Sequence, residues 1–168
     1  MDIKEALAHI EIRHVLSIYA RGVDRADLET LSSVYHPDGT DEHGTFSGLG
    51  TAFARKLIED EKDMTAVGQH HITNVVIHMD GDDDARVESY FLAFHPHEDE
   101  GSPRLGIAAG RYIDHFQRRD GAWKILRRRV IMDWTRDHVD GPPWGRTDGA
   151  FPEGRRKWQD DESYAFFK

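Results

Sequence analysis

The feature that most constrains the fold is a change of hydrophobic period near residue 64. Before it, apolar residues recur at helical spacing. After it come four long runs rich in Val, Ile, Phe, Tyr and Trp, separated by short turn signals. A helical pattern cannot serve as a strand without turning part of its apolar set to water. The order predicts helices first and an antiparallel sheet later, an α+β arrangement.

In the first half, Asp2 reads as an N-cap with Glu5 as its capping-box partner. Ile3, Leu7, Ile10, Leu16, Tyr19 and Val23 follow helical spacing, which predicts a first helix over about 3–23. Asp27 caps a short second helix carrying Leu28, Leu31 and Val34, which HPDG at 36–39 ends. DEHGTFSG reads as a short extended segment. GLGTAFARKLIEDE reads as a third helix; its glycine-rich start lacks the third glycine of a dinucleotide loop, and no βαβ pattern surrounds it. The strand runs fall near 70–79, 85–95, 105–117 and 122–134. DGDDD, HEDEGSP and RDG lie between them as hairpin turns.

At 168 residues the chain is one domain with room for a core. Its formal net charge of −9 argues against a nucleic-acid groove. The one basic cluster is Arg127–Arg129, in which strand alternation puts Arg127 and Arg129 on one face and Arg128 on the other. With no cysteine, disulfides and thiolate chemistry are excluded. MDIKEALAHIEIRHVL is not patterned as a signal peptide, and no apolar run approaches a membrane span, so a cytoplasmic protein is expected. No GxSxG supports serine catalysis. His95 and His97 with Glu98 or Asp99 could hold a metal, but Pro96 and the acidic loop that follows read as a strand running into solvent. No metal and no cofactor are predicted. DGDDD does not fit a calcium loop. From Asp137 onward periodicity is lost, yet Trp144, Phe151, Trp158, Tyr164, Phe166 and Phe167 remain. So many aromatics are expected to cover the domain's own pocket or a subunit interface.

Two segments carry chemistry. YARGVD ends the first helix at Asp24; QHHITN opens the strand-rich half with His70 and His71. A carboxylate bonded to one ring nitrogen of a histidine fixes its tautomer, aims it, and stabilises the imidazolium that forms on proton abstraction. The plain alternative is a capping Asp24 and an ordinary strand histidine. His71 must face away from His70, and alternation does not decide which of them faces inward. Tyr19 can donate to a carbonyl or leaving oxygen, or pack in the core. Arg129 can bind an anionic oxygen in a pocket, or pair with surface acids. Tyr112, in GRYID, can line a substrate pocket or pack.

In order and spacing, YARGVDRAD, YHPDG, QHHITNVVIHMDGD and GRYIDHFQRRDGAWKILRRRV resemble the SnoaL-like branch of the nuclear-transport-factor-2-like (cystatin-like cone) superfamily over about residues 5–135. That branch includes scytalone dehydratase, a hexachlorocyclohexane dehydrochlorinase and bile-acid 7α-dehydratases. The resemblance implies three helices packed on a strongly curved antiparallel sheet, a cone with an internal pocket, spanning 1–135 and followed by a tail over 136–168. It implies that Asp24 pairs with His70, which stands four residues before Asn74 of an HxxxN pattern, and that Tyr19 belongs to the site. A further acid of the bile-acid enzymes has no match in YFLAFH, so a bile-acid substrate is not carried over.

The function so implied is a cofactor-independent lyase of dehydratase type. It would act on a small cyclic or polycyclic apolar substrate, with Asp24, His70 and Tyr19 catalytic and Arg129, His71 and Tyr112 binding substrate. An isomerase or polyketide cyclase with the same base is an alternative, as is a non-catalytic subunit like the small subunit of ring-hydroxylating dioxygenases. The partners expected are a small-molecule substrate and further copies of the chain, a homotrimer or alternatively a dimer, with no nucleic acid and no membrane.

Overall fold

The computed structural model describes residues 2–62, 66–139, 157–160 and 163–164, and of residues 138 and 139 the backbone alone. Helix α1 spans Ile3–Asp24, with the Asp2 carboxylate accepting from the Glu5 N–H. Its buried face is Ala8, Ile12, Leu16, Tyr19, Ala20 and Val23. Ile3, Leu7 and Ile10, expected inside, are exposed, Ile3 by 81%. At 100° per residue they lie roughly opposite the Ala8–Ile12–Leu16 stripe. Helix α2 covers Leu28–Ser33, capped by Asp27, which accepts from both the N–H and the hydroxyl of Thr30. Helix α3 covers Gly50–Asp60.

The strands are β1 (Tyr35–His43), β2 (Phe46–Leu49), β3 (Gln69–Met79), β4 (Asp84–Asp99), β5 (Ser102–Arg119) and β6 (Ala122–Val139). They form one curved, open sheet in the order β2-β1-β6-β5-β4-β3. The helices pack on it, as an α+β fold requires. The expectation of an antiparallel sheet is corrected at one pair: β1 runs parallel to β6, and all other pairs are antiparallel. HPDG was expected to end α2, but the helix stops at Ser33, before it, and HPDG lies within β1. The register slips between Tyr35 and Thr40, and there a Cβ on Gly39 would stand 2.6 Å from the Ile125 carbonyl oxygen. Only glycine lets the two backbones approach so closely.

The long strands overrun their expected ends because the turns are tighter than their sequences suggest. Glu100–Gly101 and Asp120–Gly121 have positive φ at both residues, the two-residue hairpin geometry. Pairing therefore runs out to Asp99↔Ser102 and Arg119↔Ala122. Strand β6 continues to Val139, beyond the expected boundary at 135. Of the tail aromatics, Trp158 and Tyr164 are described; Trp144, Phe151, Phe166 and Phe167 lie outside the described residues. No described helix is long and apolar enough to cross a membrane.

The core joins the α1 stripe to Leu31, Tyr35, Val87, Phe91, Tyr112, Phe116 and Ile125. Inside it lies a polar cluster. The fully buried Arg128 forks onto Asp114 with Nε and Nη2 at 2.9 and 2.7 Å. Its guanidinium lies 4.1 Å from the ring centre of Tyr19 and 4.0 Å from that of Tyr112. Beside them the Tyr35 hydroxyl donates to Asp41 at 2.5 Å. Burial pushes the phenols of Tyr19, Tyr35 and Tyr112 up, so they stay protonated.

Candidate active site

Strand β3 is an edge of the sheet, so its outer N–H and C=O groups have no neighbouring strand to pair with. Helix α1 runs alongside that edge and supplies partners. Arg13 Nη2 donates to the Val75 carbonyl at 2.9 Å. One end further, Asp24, the last residue of α1, accepts from the His70 backbone N–H at 3.0 and 3.1 Å. The same carboxylate stands 2.7 Å from His70 Nδ1. Three contacts from one residue fix both the strand and the ring.

An ionised carboxylate can only accept, so Nδ1 is assigned as the donor and Nε2 carries the lone pair. The side chains of His70 and Asp24 are 12% and 14% exposed. They border a cavity of about 330 Å³ with Ser17, Arg21, Ile72 and Ser163. A largely desolvated carboxylate–imidazole pair at the wall of a cavity is suited to removing a proton from a molecule held there.

A bulge selects His70 over its neighbour. Pairing of β3 with β4 slips between Ile72 and Val75. On one side of the slip Val75, Ile77 and Met79 turn toward the core; on the other, His70 and Ile72 do. His71 is exposed on the opposite face, its ring edge-on to Phe94 at 5.6 Å, and does not line the cavity. Asn74 sits exposed in the bulge.

The other expected site residues lie elsewhere. Tyr19 is buried to 1% exposure and stacks edge-on to Tyr112 at 5.5 Å; it packs with Arg128 in the core and does not line the cavity. Tyr112 belongs to the same buried cluster. Arg129 is 64% exposed on the outer face, 3.6 Å from Glu42. As β6 alternates, Arg128, not Arg129, is the arginine that points inward, and Asp114 holds it.

The sequence points to His95 only as a metal ligand, and does not single out Ser17, Arg21 or Ser163 at the cavity. The His95 ring meets that of His70 edge-on at 5.2 Å, and both border a narrow cleft with Val23, Glu61 and Pro96. The signal was the hairpin itself. Counting back from the 80–84 turn places His70 opposite 93 or 94, and His95 within a diagonal of it. His97 Nδ1 stands 3.1 Å from the His95 carbonyl oxygen and its side chain reaches outward toward Asp137. Among the described residues no group of three His, Cys, Asp or Glu is placed to hold a metal ion.

With this geometry in place, comparison with known proteins gives a family. The SnoaL-like domain matches residues 4–129. The chain belongs to the SnoaL-like domain family. No curated protein sequence matches it. Among solved structures, a Novosphingobium aromaticivorans DSM 12444 protein provisionally named a scytalone dehydratase is 27% identical, with a TM-score of 0.73 over 87% of this chain and 99% of that one. The hexachlorocyclohexane dehydrochlorinase LinA-type3 of Novosphingobium barchaimii LL02 is 20% identical, with a TM-score of 0.72 over 85% and 100%. A protein of unknown function with a cystatin-like fold from Nostoc punctiforme PCC 73102 is 22% identical, with a TM-score of 0.63 over 76% and 92%. These likenesses agree with the SnoaL-like assignment and with the α+β fold built above.

Proposed function

We propose that this SnoaL-like chain is a lyase that removes a proton from carbon and expels a leaving group from the adjacent carbon of a small cyclic molecule. The observation that carries the reading is the 2.7 Å contact between Asp24 and His70 Nδ1 at the cavity wall. His70 Nε2 takes the proton. The C–H electron pair becomes the new C=C bond, and hydroxide or halide departs with its own bonding pair. Asp24 holds the imidazolium that results. General-base catalysis of this kind contributes roughly 10²–10⁴-fold. The family and the relatives named for dehydration and dehydrochlorination support an elimination. The step itself calls on no cofactor. We further propose that the chain works as a homotrimer, which light scattering of the purified protein checks.

An isomerase or cyclase would use the same base and differ in where the proton returns. Incubation of cyclic β-hydroxy ketones and β-halo compounds in D₂O, followed by NMR, separates the two. A lyase releases hydroxide or halide with loss of the α-proton; an isomerase places deuterium in a product of unchanged composition. Both activities should disappear in Asp24→Asn and His70→Ala with the circular dichroism spectrum unchanged. Turnover retained in both variants would sink the dyad.

A further inference from the structure

The C-terminal segment meets the cavity through one residue of α1. The Arg21 guanidinium lies 4.0 Å from the centre of the Tyr164 ring, and its Nη2 donates to Ser163 Oγ at 3.4 Å. The Trp158 N–H donates to the Arg25 carbonyl at 3.0 Å, in the residue that follows Asp24. The rings of Trp158 and Tyr164 pack on each other at 5.6 Å. Ser163 then lines the same cavity as Ser17, Asp24 and His70. Arg21 is one turn before Asp24 on the same helix face, so a side chain anchored on Arg21 stands over the dyad. An arginine over an aromatic face, with a hydrogen bond beside it, holds a segment in one orientation and not merely near the surface.

We propose that Trp158, Ser163 and Tyr164 form the outer wall of the His70 cavity, that Arg21 is the residue positioning this wall, and that Ser163 is a substrate-facing hydroxyl. The proposal rests on the assignment of the His70 cavity as the reaction site. The wall makes acceptance of a substrate depend on chain far along the sequence from the strand that carries the base.

The test needs no turnover, so its failure is distinct from failure of the lyase reading. Full-length protein is treated with diethyl pyrocarbonate, and carbethoxylation of each histidine is followed by mass spectrometry. Tryptic cleavage after Lys157 is followed in parallel. In Arg21→Ala and in Tyr164→Ala, both His70 modification and cleavage after Lys157 should rise several-fold, because proteolysis tracks the open population. His78, exposed at the far end of β3, should react at the wild-type rate. Arg21→Lys keeps a cation over the ring and should restore most of the protection. Wild-type rates at both sites in both alanine variants overturn the proposal. Faster cleavage without faster modification of His70 overturns it too, since the segment would then dock without walling the cavity.

Discussion

Asp24 and Asp114 each hold a nitrogen side chain, and their surroundings differ. Asp24 stands 2.7 Å from His70 Nδ1 at the wall of a cavity, both side chains slightly exposed. Asp114 grips Arg128 with two bonds in a core that water does not reach. Burial pushes the Asp114 carboxyl up, and the Arg128 charge only partly offsets this. Burial alone would pull Arg128 down; Asp114 and the surrounding tyrosines carry it up instead. A closed pair spends its charges on each other and on two tyrosine rings. An open pair leaves one nitrogen for something else. The same kind of pair is closed in one place and open to a cavity in the other, and access is what separates them.

The comparison can be broken most forcefully at Arg128. Arg128→Met leaves a buried carboxylate without its partner and should cost about 3–5 kcal/mol, or prevent folding. Urea denaturation measures it. Adding Asp114→Leu should recover much of the loss, since two apolar residues replace two charges. If the single variant is as stable as wild type, the core pair is not what holds the cluster.

Next comes the open pair. His70→Ala should lower turnover by roughly 10²–10⁴-fold while the denaturation midpoint moves little. Asp24→Asn should lower turnover similarly, since an amide in place of the carboxylate neither fixes the tautomer as firmly nor stabilises the imidazolium. It should also loosen β3, because Asp24 binds the His70 backbone N–H as well. Hydrogen exchange at that amide reads this out.

Tyr19→Phe sharpens the boundary between the two regions. Removal of a buried hydroxyl should cost about 1 kcal/mol. The ring over Arg128 is retained, so turnover should scarcely change. A large fall in turnover at unchanged stability would place Tyr19 in the chemistry. The smallest effect is expected at Arg129→Ala, whose side chain stands in solvent beside Glu42; neither the denaturation midpoint nor turnover should shift measurably.

Much of the fold was legible because periodicity is local. Asp2 and Asp27 cap the helices they were expected to cap, and four strands follow the apolar runs. The partnership of β1 with β6 was not legible, since a parallel pair has no turn to announce it. The misplacement of Arg129 has a different origin. Alternation correctly separated Arg128 from its neighbours, but only the packed sheet shows which face is inside.

The sequence by itself determined the order of elements, the caps, the hairpins, and the presence of a carboxylate at a helix end and a histidine pair at a strand start. The choice between His70 and His71 belonged to the tertiary structure. Simple alternation from Val75, Ile77 and Met79 would have turned His71 inward. The bulge between Ile72 and Val75 inverts that parity, and the Asp24 carboxylate receives the N–H and ring of His70 at the open edge of β3. One extra residue in a strand reverses every side chain beyond it. Nothing local in QHHITN records where that residue falls, because the partners that fix it, β4 on one side and α1 on the other, are distant in the chain.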